Sequence, residues 1–295
     1  MLVINKATYG GKDCTEQISK LVRKGKLSVK ATNDIIGDPM HGQVKKLIVD
    51  YTLNGESLSK EVLEGNYLIL KAESNSRLGI FYSNNTNPKT FPAIEKSLET
   101  IEKAADGVAD IITCVWNPIP NNPFVELRSW MQSGGHLNQL LQIMQCLYYA
   151  EQTGEYEWVS FLEHDVMYPE DYFKFKDEGY NNCVFTNMNY IGLCAKGFQK
   201  RKQDDQPFHQ MTMRFNDAIK HCEKILANAL TTNSGLIEPQ FEMVRRTWET
   251  KNPSVHINHG VHFTSHYSIY DSEKPQKTNK YWGSYTKYKQ LFKDA

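Results

Sequence analysis

The chain has 295 residues, which is long for a single domain and sufficient for two. Lys and Arg together number 34, as do Asp and Glu, and this balance argues against a globally basic nucleic-acid binder while leaving a local basic face open. The N-terminus lacks the pattern of a secretory signal, and no stretch reaches transmembrane length. The 6 cysteines form no CxxC pair, which fits a reducing compartment. We therefore expect a cytoplasmic protein with no membrane partner.

Residues 26–70 have the pattern of β-strands. KLSVKATN is followed by VKKLIVDYTL and ESLSKEVLEG, and the last two flank Asn54-Gly55, a dipeptide that favours a type I′ hairpin turn. The stretch NDIIGDPMHGQVKKLIVDYTLNG resembles a small, uncharacterised β-sandwich module that recurs at the ends of unrelated chains. We expect a small antiparallel β module over residues 1–76.

The pattern changes after the polar stretch KAESNSR. LGIFYSN (78–84) predicts a strand, and FPAIEKSLETIEKAADG carries Ile94, Leu98, Ile101 and Ala105 at the spacing of one helix face. ADIITCVWN predicts a second strand. Strand, helix and strand in succession form a βαβ unit, which indicates a parallel sheet.

A second amphipathic helix is predicted after Gly134-Gly135. Its apolar positions recur at i, i+3, i+4 and i+7, namely Leu137, Leu140, Leu141, Met144, Leu147 and Tyr148. EYEWVSFL then predicts another buried strand. We expect one α/β domain over residues 77–295.

That strand ends in Glu163, His164 and Asp165. In open α/β sheets, ligands bind beyond the carboxyl ends of the strands. In an extended chain Glu163 and Asp165 would point the same way and His164 the opposite way. Two neighbouring carboxylates repel each other unless a cation lies between them, and oxygen ligands suit Mg²⁺ or Mn²⁺. The alternative is that Asp165 caps the turn in YPEDYF while Glu163 is solvated at the sheet rim.

The element order and two motifs resemble a known enzyme family. GGHLNQLLQIM followed by EWVSFLEHDVMYPEDYF looks like the nucleotide-sugar half of GT-A glycosyltransferases, in which a glycine-led helix precedes an Asp-x-Asp motif. LEHDVMYP and HINHGVHFTSHYSIY are similar to a bacterial and phage branch of family-2-like transferases with Glu-His-Asp in place of Asp-x-Asp. The resemblance covers about residues 77–270. It implies a GT-A (Rossmann-like) fold: a mixed, mostly parallel sheet with flanking helices, here preceded by the small antiparallel β module.

The resemblance also implies a divalent metal, Mn²⁺ or Mg²⁺, and its ligands. Glu163 and Asp165 match the acidic motif, although glutamate is one methylene longer than the usual aspartate. GT-A enzymes often take a further ligand from a C-terminal histidine, and among His256, His259 and His262 we select His259, which precedes Gly260. The spacing of these histidines also allows a zinc site, and an exposed strand with polar histidines is the remaining alternative.

Further roles follow from the same resemblance. Such a metal bridges the donor diphosphate, and an inverting enzyme needs a carboxylate base. Glu238 precedes Pro239 at a predicted helix N-terminus and is our candidate, the alternative being a simple capping carboxylate. Tyr82 and Asn84 at the first strand end, and Asn138 in the glycine-led helix, are candidate donor-binding residues; each is equally explained as a rim residue.

The local distribution of charge indicates which kind of molecule could accept the sugar. KGFQKRK (196–202) is basic, and the tail EKPQKTNKYWGSYTKYKQLFK interleaves lysines with aromatic residues. This pattern suits a phosphate backbone with splayed bases, although a lysine-rich helix packed by its aromatics has the same composition. The tail would suit a phage enzyme that glycosylates hydroxymethylated cytosine in DNA.

Three functions are therefore considered. The first is a metal-dependent hexosyl- or pentosyltransferase that uses a nucleotide-sugar, a UDP-sugar in the first place. The second is a metallohydrolase built from Asp165, His164 and the histidine cluster, with tightly bound zinc. The third is a non-catalytic protein that binds a glycan or nucleic acid.

Overall fold

The structure is a computed structural model. It describes residues 2–22, 25, 27–53, 55–70, 76–84, 90–131, 135–154, 156–175, 182–200, 207–232, 243–257 and 275–292. The chain separates into two compact units: Met1–Ser74 with Tyr149–Glu155, and Asn75–Tyr148 with Tyr156–Ala295.

The first unit consists mainly of antiparallel strands. Its elements are β1 (Leu2–Tyr9), β2 (Lys12–Asp13), α1 (Thr15–Lys20), β3 (Leu27–Lys30), β4 (Lys46–Leu53), β5 (Glu56–Leu63) and β6 (Tyr67–Leu70). One sheet has the order β2-β1-β4-β5, and β3 pairs with β6 in another. The predicted hairpin is present, with Leu53 opposite Glu56 and Gly55 at φ +92°. The small antiparallel β module is thus confirmed, while the long first strand β1 was not predicted.

A buried lysine of this unit lies between two carboxylates. The Lys45 side chain is only 3% exposed, and its Nζ lies 3.0 Å from Asp38 Oδ1 and 3.3 Å from Glu64 Oε1. Tyr9 donates a 2.8 Å hydrogen bond to Glu64. This bond and those from Lys45 outweigh burial and lower the pKa of Glu64, and Lys45 likewise lowers the pKa of Asp38. Burial raises the pKa of Tyr9 to about 12, with the Glu64 carboxylate adding to the effect.

The second unit contains the remaining strands and helices. The strands are β7 (Arg77–Ser83), β8 (Asp110–Val115), β9 (Val125–Arg128), β10 (Trp158–Glu163), β11 (Val166–Met167), β12 (Cys183–Asn187), β13 (Tyr190–Cys194), β14 (Gly197–Gln199), β15 (Met211–Arg214), β16 (Val244–Trp248), β17 (Ser254–Ile257), β18 (Thr278–Asn279) and β19 (Gly283–Ser284). The helices are α2 (Phe91–Ala105), α3 (His136–Thr153) and α4 (Phe215–Thr232), with 3-10 turns at Phe208–Gln210 and Tyr285–Phe292.

The main sheet has seven strands in the order β16-β12-β15-β10-β7-β8-β9. All of them except β15 run in the same direction. The chain passes from β7 to β8 on one side, and β10 pairs with β7 on the other, so the strand order reverses between β7 and β10. Such a switch point opens a crevice at the carboxyl ends of the strands. The predicted α/β class, a mixed and mostly parallel sheet with flanking helices, is confirmed.

Helix α2 covers part of this sheet as its periodicity predicts. Ile94, Leu98, Ile101 and Ala105 are all buried and belong to one apolar cluster. Pro92 lies in the first turn, where a missing N–H costs no helical hydrogen bond. Residues at one helical spacing have therefore formed one buried face.

A second sheet in this unit has four strands in the order β11-β17-β13-β14. β11 follows β10 after a two-residue turn and pairs with β17, with Val166 opposite His256. The C-terminal segment packs on this sheet: Tyr285 and Tyr288 are buried in a cluster with Val255 and Ile257. The rings of Tyr285 and Tyr288 are thus part of the core and are not available to stack on bases. This burial agrees with the alternative in which the aromatic residues of the C-terminal segment serve to pack it against the protein.

No helix in the described part of the chain is both long and apolar enough to cross a membrane.

We predict that Lys45→Met lowers the thermal stability of the full chain at neutral pH, because Asp38 and Glu64 then lose their cation. Their folded pKa values are lowered, so the stabilisation is present above the unfolded pKa of about 4 and disappears as the pH falls through the folded values. The difference in Tm between wild type and variant should therefore shrink between about pH 7 and pH 3.

Lys46→Met is the matched control. Lys46 pairs with Glu61 at 2.6 Å, but both side chains are at least half exposed. Surface pairs contribute little, so this variant should melt close to wild type. Equal loss of stability in both variants, or a Lys45→Met difference that does not change with pH, would contradict the role given to the buried lysine.

Candidate active site

The predicted acidic residues lie at the switch point of the main sheet. Glu163 is the last residue of β10 and stands opposite Tyr82 in the parallel pairing with β7. The Tyr82 hydroxyl donates a 2.7 Å hydrogen bond to Glu163 Oε1. Asp165 follows two residues later and is 6% exposed. The structure therefore places Tyr82, Glu163 and Asp165 at the crevice where ligands of open α/β sheets bind.

Asp165 is not placed by strand alternation as the sequence suggested. The extended conformation ends at Glu163, and His164 and Asp165 form the turn between β10 and β11. Ser97 of α2 holds this turn, because its hydroxyl donates a 2.6 Å hydrogen bond to the carbonyl oxygen of Val166 and lies 3.2 Å from the carbonyl oxygen of Glu163. The direction of Asp165 is consequently set by the turn and by its partner on β17.

Each of the two carboxylates faces an imidazole. His209 Nδ1 lies 3.1 Å from Glu163 Oε2, and His256 Nε2 lies 3.3 Å from Asp165 Oδ2. The two rings are tilted by 31° with centroids 5.5 Å apart. Burial alone would raise the pKa of Glu163, but the hydrogen bond and charge of His209, with the bond from Tyr82, lower it. These contacts favour the charged form of the Glu163 carboxyl.

His209 escaped the sequence analysis, and His256 was considered but not selected. His209 lies in the 3-10 turn before β15, and it reaches Glu163 because β15 pairs with β10 in an antiparallel manner. Nothing in the local sequence QPFHQMT marks that pairing. His256 reaches Asp165 through the pairing of β17 with β11.

The candidate donor residues Asn84 and Asn138 are brought together. Asn138 in the first turn of α3 is buried and donates a hydrogen bond from Nδ2 to Asn84 Oδ1. The Ser129 hydroxyl donates to Asn138 Oδ1 at 3.2 Å. Tyr82, the third candidate, is 3% exposed. Asn84 and Asn138 thus join the segments that follow β7 and β9, and the donor-binding roles of all three stay predictions.

Helix α3 carries further polar side chains into the sheet. Gln142 donates a 3.0 Å hydrogen bond to the carbonyl of Ser83, and Gln145 donates one of 2.6 Å to the carbonyl of Arg128. Gln145 Oε1 also accepts from the Trp130 amide at 3.2 Å. The predicted helix is correct, but its buried face includes these amides as well as the apolar series, because strand ends present backbone groups that need partners.

Two of the predicted site residues, Glu238 and His259, lie outside the described residues, as does His262. Within the described part of the chain, no three His, Cys, Asp or Glu side chains come together as a metal site. The described candidates for metal ligation are the carboxylates of Glu163 and Asp165, whose oxygen atoms are of the type that Mg²⁺ and Mn²⁺ prefer.

Comparison with known proteins gives limited similarity. No family model and no curated protein matches the chain. Solved structures that match include a glycosyltransferase involved in the glycosylation of the major capsid of PBCV-1, with 11% identity over 61% of this chain and 91% of that one and a TM-score of 0.36. They also include a mannosyltransferase from Pyrobaculum calidifontis in complex with GDP-Man and Mn²⁺, with 10% identity, coverage of 63% and 58%, and a TM-score of 0.37.

A third match is the inositol-1-phosphate CTP transferase from T. maritima, with 12% identity, coverage of 65% and 93%, and a TM-score of 0.38. This chain spans 58% of the mannosyltransferase's length. At these identities and TM-scores, the likeness carries no argument about activity.

We predict that Gln142→Met destabilises the chain by about 1–3 kcal/mol, because the buried carbonyl of Ser83 loses this donor while the side-chain volume is kept. Urea denaturation measures the change. Gln152→Met is the control, since Gln152 lies on the same helix but is exposed. The prediction fails if the two variants unfold at the same urea concentration.

Proposed function

We propose that this protein is a metal-dependent glycosyltransferase that moves a sugar from a nucleotide-sugar to an acceptor hydroxyl. The observation that carries the proposal is the pair Glu163 and Asp165 at the switch point between β7 and β10, joined to the end of β7 through Tyr82. Ligands of open α/β sheets bind in such a crevice, and an anionic diphosphate needs a cation next to two carboxylates.

The carboxylate oxygens of this site are the type of ligand that suits Mn²⁺ or Mg²⁺. Asp165 and Glu163 would provide oxygen ligands, and His259 is the proposed third ligand. Bound there, the metal would neutralise the charge that builds on the leaving diphosphate. Tyr82, Asn84 and Asn138 would contact the donor, for which a UDP-sugar is the first choice.

Transfer breaks the bond between the sugar and the diphosphate and forms one between the sugar and the acceptor oxygen. In an inverting reaction Glu238 would accept the hydroxyl proton. Hydroxymethylated DNA of a phage, modified in the host cytoplasm, is the first acceptor to test. Exposed lysines such as Lys287 and Lys289 support this choice, whereas the buried rings of Tyr285 and Tyr288 do not.

A zinc metallohydrolase is the second candidate. The contact between His256 and Asp165 favours it, because a histidine that binds a metal commonly has its other ring nitrogen next to a carboxylate. This candidate requires zinc in the purified protein and no nucleotide.

We expect calorimetry with UDP- and GDP-sugars to show binding that requires Mn²⁺ or Mg²⁺. Asp165→Ala should weaken this binding at least ~10-fold, since it removes a proposed metal ligand. Asp106→Ala is the control, because Asp106 is exposed at the end of α2.

Metal analysis of the purified protein accompanies the titration. If no nucleotide binds with any metal, the glycosyltransferase proposal is wrong; stoichiometric zinc in that case supports the hydrolase. If Asp165→Ala binds the nucleotide as tightly as wild type does, Asp165 is not a ligand of the metal.

A further inference from the structure

Two segments of the second unit, residues 190–200 and 275–292, concentrate positive charge. Together they contain six lysines and no aspartate or glutamate, although acidic and basic residues are equal in number over the whole chain. All six lysines are exposed. The segments are joined, because Phe198 and Gln276 form a β-bridge and the Tyr285 hydroxyl donates a hydrogen bond to the carbonyl oxygen of Ala195. A chain with no net charge therefore has a local excess of cations here.

The ring of Tyr285 lies next to two of these cations. Lys277 Nζ is 5.1 Å from the ring centre and donates a 2.6 Å hydrogen bond to the carbonyl oxygen of Lys196, and Lys289 Nζ is 5.9 Å from the same ring centre. Lys287 lies in the same 3-10 turn as Lys289 and is also exposed. We call these four residues, Lys196, Lys277, Lys287 and Lys289, the lysine patch.

Carboxylates close to this segment are already paired or lie on its other side. Glu99 of α2 is near Tyr288, whose pKa is raised mainly by burial and further by this carboxylate. Glu99 forms ion pairs with Lys96 and Lys103 at 2.7 and 2.8 Å. Among the residues that the structure describes, no carboxylate forms an ion pair with a lysine of the patch. The positive charge of the patch is therefore left for a ligand or for solvent.

The aromatic residues of the segment belong to the core. Tyr285, Tyr288 and Leu291 are buried, and Tyr281 and Trp282 are half-buried, so that no aromatic or large apolar side chain between residues 275 and 291 is exposed. Stacking on bases requires an accessible ring face, and docking on a membrane interface requires exposed apolar side chains. The patch thus presents ammonium groups without either of these features.

We propose that the lysine patch binds the phosphate backbone of a nucleic-acid duplex by charge, without reading its bases. Duplex DNA carries one negative charge per about 1.7 Å of helix axis, which is a denser line of charge than a single strand offers. A lysine ammonium is a point charge with three donors on a flexible stem, so it suits phosphates in any sequence. The inference goes beyond the proposed function, because backbone binding needs neither a nucleotide-sugar nor a metal.

The test is fluorescence anisotropy of a labelled DNA duplex of about 20 bp, without modified bases, titrated with the full chain at NaCl concentrations from about 50 to 200 mM. Each neutralised phosphate contributes about −0.9 to the slope of log K against log salt concentration, so four lysines should give a slope of about −3 to −4. Lys277→Gln/Lys289→Gln should reduce the size of this slope by about 2 and weaken binding at low salt at least about 10-fold.

The matched control is Lys46→Gln/Lys60→Gln, which makes the same change in net charge at two exposed lysines of the first unit. It should bind the duplex with nearly the slope and affinity of wild type. Lys277→Arg/Lys289→Arg keeps the charge and should also bind like wild type. Lys287→Gln removes a lysine for which no hydrogen bond to the described residues is seen, and it should reduce the slope by about 1 without disturbing the fold.

The proposal is overturned if wild type does not bind the duplex at about 50 mM NaCl, or if Lys277→Gln/Lys289→Gln keeps the wild-type slope. A single strand that binds more than about 10-fold tighter than the duplex would indicate stacking on bases and contradict backbone recognition. Co-sedimentation with phosphatidylserine-containing vesicles in the absence of duplex binding would assign the patch to a membrane surface instead. If no nucleotide-sugar binds, the proposed function fails, whereas the salt titration still decides the role of the patch.

Discussion

The parallel pairing of β7 with β10 is the constraint on which the candidate site depends. It runs from Arg77 opposite Trp158 to Tyr82 opposite Glu163. Because side chains alternate along a strand, a slip of one residue would exchange the polar strand end with core positions. Gly79 lies within this pairing, and a Cβ there would lie 2.5 Å from Ile111 Cδ1 and 2.9 Å from Leu162 Cδ1, so a larger residue would require these packed side chains to move.

Each carboxylate of the candidate site has an imidazole as its neighbour. Two carboxylates at one crevice would repel each other, and each lies within about 3 Å of an imidazole nitrogen, Glu163 of His209 and Asp165 of His256. The carboxylates differ in their surroundings, because Glu163 also accepts from Tyr82 whereas Asp165 lies in a turn tied to β17.

The parts of the fold that were predictable are those encoded locally. The spacing of Ile94, Leu98 and Ile101 predicts the buried face of α2, and Asn54-Gly55 predicts the hairpin, because both depend on residues close in the chain. The strand end at Glu163 was predictable for the same reason, whereas the direction of Asp165 was not, because it lies in the turn after the strand. His209 was not, since its contact with Glu163 spans two elements that meet only through the antiparallel insertion of β15 between β10 and β12.

The position of α3 depends both on its local sequence spacing and on contacts with residues that are distant in the chain. Its leucine spacing predicts a helix against the sheet, but Gln142 and Gln145 lie buried among the apolar positions and bind the carbonyls of Ser83 and Arg128. Burying an amide donor is costly unless it makes a hydrogen bond, so the Nε2 groups of Gln142 and Gln145 favour the observed position of these two carbonyls. The same helix brings Asn138 to Asn84 at the crevice. A helix that must satisfy backbone groups at two strand ends thereby holds the proposed donor-binding side chains in fixed positions before any ligand arrives.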